Sequence, residues 1–95
     1  MLVKLGVYGL DNLHESMRLV LKYVAEVWGN EEPVITSCME GTHGAGSFHY
    51  FHQALDFRLP KNPLNKIEEL KELLGDDYDV VLENDHVHVE HHVKD

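Results

Sequence analysis

The chain has little of what extracellular scaffolds and polyanion-binding surfaces need. One cysteine, Cys38, in 95 residues excludes an internal disulfide and gives no sign of an oxidising compartment. Positive charge is also scarce: 8 Lys and Arg stand against 17 Asp and Glu, for a net charge of -9, and the basic residues are scattered. Phosphate backbones and anionic lipids recruit clustered cations, so neither nucleic acid nor a membrane is an expected partner. No apolar run approaches the roughly 20 residues that span a bilayer. The start, M-L-V-K-L-G-V-Y-G-L-D, lacks the basic lead, long apolar stretch and cleavage site of a signal peptide. The expectation is a protein that is cytoplasmic as made.

What is present suits a small globular protein. Apolar residues make up 43% of the 95 positions, enough for a single domain over 1–95 with one core and too few for two. Leu2 to Leu10 reads as a short strand or an extended lead-in. Asn12 and Glu15 have the spacing of a capping box, and Leu13, Met17, Val20, Leu21, Val24, Val27 and Trp28 recur at helical spacing until Gly29-Asn30. This stripe is expected to be core rather than a cofactor site. Pro33 opens a β-branched strand, V-I-T-S-C, and Gly41 to Gly46 is a flexible loop with three glycines.

Leu55, Phe57 and Leu59 then alternate with Ala54, Asp56 and Arg58, a strand with one apolar face. Asn62-Pro63 caps and opens a second helix carrying Leu64, Ile67, Leu70 and Leu74, closed by Gly75. Glu68, Glu69, Lys71 and Glu72 form its solvated face. After a turn at Asp76-Asp77 come strands Tyr78 to Leu82 and His86 to Val93, joined by Glu83-Asn84-Asp85. Val87, Val89 and Val93 are expected to face the core, and His86, His88, Glu90 and His92 the other side. The predicted fold is α+β, a small antiparallel sheet with two helices packed on one face.

Eight histidines are many for this length. His14, His43, His91 and His92 are expected at the surface, and Cys38 as a small buried side chain rather than the nucleophile of a Cys-His amidase. His49, Asp56 and His88 are different. Two histidines and a carboxylate form a donor set of catalytic zinc type, in which three protein ligands leave one position to water. Asp56 and His88 each fall on the non-core face of a predicted strand, so strand pairing can join them. His49 lies seven positions before Asp56, which a continuous strand would put on the opposite face. It must therefore reach the site across a bend, which the glycine loop permits.

These motifs resemble a known family. S-x-H-x-x-x-x-A-x-D from Ser47 to Asp56, then D-x-x-H from Asp85 to His88 inside H-V-H, is similar to the superfamily of lysostaphin-type enzymes, D-Ala-D-Ala metallopeptidases and hedgehog domains. Within it the D-alanyl-D-alanine carboxypeptidase and L-alanyl-D-glutamate endopeptidase branch fits best, over roughly Pro33 to Val93. The resemblance implies a hedgehog/DD-peptidase-like fold and one zinc held by His49, Asp56 and His88. It implies Asp85 as general base and His86 as the group that stabilises the transition state. Glu83-Asn84-Asp85-His86 also fits acid-x-x-His, with Glu83 as base and His86 as ligand. The implied activity is hydrolysis of peptide bonds in peptidoglycan stem or cross-link peptides. The missing signal peptide would suit a phage- or prophage-encoded enzyme acting at the cell wall after release. Two positions depart from the pattern: His52 stands where the family has glycine, and Cys38-Met39-Glu40 follows Thr36-Ser37 where it carries an arginine for a substrate carboxylate. The implied alternative is a catalytically inactive zinc-binding structural or interaction module of the same fold.

Overall fold

The computed structural model describes residues 1–7, 10, 13, 15–39 and 53–91. His49, Ser47, His52, the glycine loop, Asn12, His14, His43, His92 and Val93 lie outside them. In chain order the elements are β1 (Leu2–Val3), α1 (Glu15–Trp28), β2 (Val34–Met39), β3 (Ala54–Arg58), α2 (Pro63–Leu74), β4 (Tyr78–Leu82) and β5 (His86–His91). The five strands form one sheet in the order β1-β2-β3-β5-β4.

The sheet is mixed rather than antiparallel as expected, because β1 pairs with β2 in parallel. A parallel neighbour needs a crossover of a dozen or more residues, and α1 lies on the connection between these two strands. All other pairs are antiparallel. β3 and β4 are joined through α2, with β5 inserted between them.

Period-2 alternation in the strands and helical spacing in α1 and α2 converge on one core. Met17, Val20, Val24, Val27 and Trp28 of α1 and Ile67, Leu70 and Leu74 of α2 pack with Ile35, Leu55, Phe57, Val80, Val87 and Val89. Both helices therefore cover the same sheet face, and Trp28 tilts against Phe57 with ring centroids 6.2 Å apart. The Tyr78 hydroxyl donates to the Ser16 carbonyl at 2.9 Å, tying β4 to the start of α1.

Three sequence expectations change in detail. Leu64 is 70% exposed, since at 3.6 residues per turn it lies to one side of the stripe formed by Ile67, Leu70 and Leu74. Asn62 occupies the N-cap position of α2 but makes no side-chain cap bond; it sits at φ 52°, ψ 56°, a left-handed conformation that asparagine tolerates better than most residues. His91 is half-buried rather than at the surface, its ring against Tyr78 with centroids 4.6 Å apart. Among the described residues no helix is long and apolar enough to cross a membrane.

Candidate metal centre

The sheet face opposite the helices carries the polar cluster. β3 and β5 pair with Asp56 opposite His88 and Arg58 opposite His86, while Ala54 lies opposite Glu90. Because the two core residues of β5, Val87 and Val89, pair with Phe57 and Leu55, the intervening polar residues are locked to the other side. Burial of the apolar face thus fixes the register of the polar one.

His88 Nδ1 lies 2.7 Å from Asp56 Oδ1, and His88 Nε2 lies 3.3 Å from Glu90 Oε1. His86 Nδ1 is 2.7 Å from Asp85 Oδ1, and its Nε2 is 3.7 Å from Asp56 Oδ2. Asp56, only 15% exposed, is thus bracketed by two imidazoles, one at each oxygen. Each histidine in turn has a second carboxylate on its far nitrogen.

The charges follow. Burial opposes the charge on His88, but hydrogen bonds to Asp56 and Glu90 outweigh it and raise its pKa above the ordinary value. The Asp85 hydrogen bond raises the pKa of His86, and the same bond lowers that of Asp85. Both ring N–H groups of His88 donate to carboxylates only when it is an imidazolium. A group whose folded pKa is raised contributes stability that is complete below its unfolded pKa, about 6.5. That contribution declines as pH rises through the folded value. The groups facing His88 are Asp56 from β3 and Glu90 and His86 from β5; on β4 its cross-strand partner is Val81, and Asp79 lies opposite Glu90. In metal-free protein, the urea midpoint should therefore fall more between pH 6 and about pH 9 for wild type than for His88→Gln. Equal slopes would mean that His88 is not held as a cation.

These donors suit a metal as well as a proton. Two ligands about 2.0–2.1 Å from a tetrahedral zinc stand about 3.4 Å apart. The 2.7 Å between Asp56 Oδ1 and His88 Nδ1 needs only a small opening for an ion to replace the shared proton. Imidazole nitrogen and carboxylate oxygen are both zinc donors. Among the described residues no three His, Cys, Asp or Glu side chains converge as a complete metal site. Asp56 and His88 are together, and the third expected ligand, His49, lies outside the described residues. Asp85 is 89% exposed and faces His86, not the Asp56–His88 pair. Glu83 is exposed in the turn, its backbone N–H donating to the His86 carbonyl at 2.9 Å.

Two features of the site were not assigned from sequence. One is Glu90 as the second partner of His88; the same-face alternation H-x-H-x-E was its signal. The other is a bulge in β2. Ile35 pairs with Phe57 but Ser37 pairs with Asp56, so β2 advances two residues while β3 advances one. The bulge brings Ser37 opposite the buried carboxylate and sends Cys38, opposite Leu55, toward the core. Without it Ile35 and Ser37 would share a face.

No family model, curated protein or solved structure matches this chain.

Proposed function

We propose that the protein is a zinc-dependent peptidase of hedgehog/DD-peptidase-like fold that hydrolyses peptide bonds in peptidoglycan-derived peptides. The observation that carries the proposal is the Asp56–His88 pair at 2.7 Å on the face left open by the helices, with His86 on the second oxygen of Asp56. His49, Asp56 and His88 are the proposed ligands of one zinc. When bound, zinc supplies Lewis-acid polarisation of the scissile carbonyl and lowers the pKa of a water.

The chain's own groups do the rest. Asp85 accepts a proton and returns one to the leaving amine, directly or through His86 Nδ1, to which it is hydrogen-bonded. His86, its pKa raised by Asp85, donates a hydrogen bond or positive charge to the developing oxyanion. At the end of β1 a depression of about 250 Å³, lined by Lys4, Thr36 and Ser37 among others, offers room for substrate. Ser37 is the register partner of Asp56, so this depression adjoins the centre. Lys4, whose charge is felt at Asp85, is the proposed cation for a substrate carboxylate in the absence of the family's arginine.

A second reading has one observation in its favour. The exposure of Asp85 and its pairing with His86 suit a zinc-binding module that has lost catalysis.

The test is zinc content by elemental mass spectrometry, wild type beside His88→Ala. About one zinc per chain is expected in wild type, with the variant losing at least tenfold in affinity because a ligand is gone. Wild type without zinc, even after zinc is supplied in excess, would overturn both readings. Zinc in both proteins alike would remove His88 from the site.

A further inference from the structure

Glu90 lies on the same face as the centre, and three observations on it converge. First, its Oε1 is 3.3 Å from His88 Nε2, the ring nitrogen pointing away from Asp56. Second, among the described residues His88 is the group it meets. Third, its cross-strand neighbours give no reason for a carboxylate there. On β3 the partner is the small, buried Ala54, and on β4 it is Asp79, also acidic. Like charges placed directly opposite destabilise a sheet, so pairing alone would favour a neutral or basic residue at 90.

A histidine that gives one ring nitrogen to a metal keeps a single proton on the other, and a carboxylate accepting that proton fixes both tautomer and ring orientation. We propose that Glu90 is the positioning residue of the metal centre: it accepts the Nε2–H of His88 and so keeps Nδ1 facing Asp56. This rests on the zinc reading above, and it makes Glu90 neither a ligand nor a catalytic group. It also gives a reason for the H-x-H-x-E alternation in β5. The first histidine serves the substrate side, the second binds, and the glutamate holds the second in place.

The test is zinc affinity against a competing chelator for wild type, Glu90→Ala and Glu90→Gln, with ring ¹⁵N shifts of His88 recorded in the metal-free proteins. Glu90→Ala should weaken zinc about 10–100-fold at an unchanged stoichiometry. Glu90→Gln should recover part of the loss, because its amide oxygen still accepts from Nε2–H. The His88 Nε2 resonance should move in both variants before any metal is added. Wild-type zinc affinity in Glu90→Ala would overturn the positioning role alone. Complete loss of zinc from both variants would overturn it differently, by making Glu90 a ligand. Wild type that takes up no zinc would bring down the zinc reading itself, and the role of Glu90 with it. Glu90 is exposed on one side and lies outside the core, so all three proteins should share one far-ultraviolet circular dichroism spectrum.

Discussion

Replacing Asp85 by alanine should leave zinc bound while turnover of a peptidoglycan-derived peptide falls about 10²–10⁴-fold, the usual contribution of a positioned acid–base group. The separation of the two readouts follows from where Asp85 sits. It is in the turn before β5, 89% exposed, and has no part in the core, so its loss disturbs neither the register nor the Asp56–His88 pair. What it does touch is His86 Nδ1, at 2.7 Å. The variant therefore loses a proton acceptor and also the bond that is the main cause of the raised His86 pKa. That second loss makes the experiment more informative than an on–off test. A carboxylate held below its usual range is a weak base on its own, whereas His86, its pKa raised by the Asp85 hydrogen bond, is the stronger one. If Asp85 works through His86, the residual activity of the variant should rise along a limb displaced to lower pH. If Asp85 accepts the proton directly, the rate falls with no displacement. Unchanged turnover would remove Asp85 from the mechanism. A zinc-loaded wild type with no turnover on any such peptide would leave the inactive module as the correct description.

How much of this was legible in the sequence depended on whether a feature was local. The alternation Val87–His88–Val89 and Leu55–Asp56–Phe57 assigns Asp56 and His88 to the same non-core face, so pairing of the two strands could join them. A two-residue slip would keep those faces, and the register that sets the two opposite each other comes from the fold. Helical spacing likewise revealed both helices. Features that arise between distant segments were hidden. Nothing in V-I-T-S-C-M marks the bulge that turns Ser37 toward Asp56, because a bulge is set by what β3 presents across the ladder. The parallel pairing of β1 depends on where α1 returns the chain. Leu64 has helical spacing to Ile67 yet stays exposed, because i, i+3 spacing still lets a residue fall at the margin of the buried stripe. The second partner of His88 lay between these cases: Glu90 was on the expected face, but its meeting with Nε2 required the ring orientation.

The largest effect on stability should come from a residue that touches none of the proposed zinc ligands' polar atoms. Phe57 is fully buried, packs its ring against Trp28, and stands between Asp56 and Arg58 on β3. Phe57→Ala should cost about 3–5 kcal/mol, the lost transfer energy of the ring plus the cavity it leaves. At roughly 0.05–0.15 kcal/mol per residue the whole domain has about 5–14 kcal/mol to lose. The urea midpoint should therefore fall by about a fifth or more, while Phe57→Leu, which keeps most of the apolar bulk, falls less. The same change should weaken zinc binding, since the Phe57–Val87 pair beneath the sheet holds the Asp56–His88 pair above it in register. Binding and folding are then linked, and the linkage runs in both directions. Zinc at about 100 times its dissociation constant would restore roughly 2.7 kcal/mol to any chain that binds it only when folded. Phe57→Ala should thus show a larger fractional recovery of its midpoint on adding zinc than wild type, whereas His88→Ala, with its core intact and a ligand missing, should show little. Zinc bound by Phe57→Ala with wild-type affinity would mean that the centre forms independently of the register of β3 and β5.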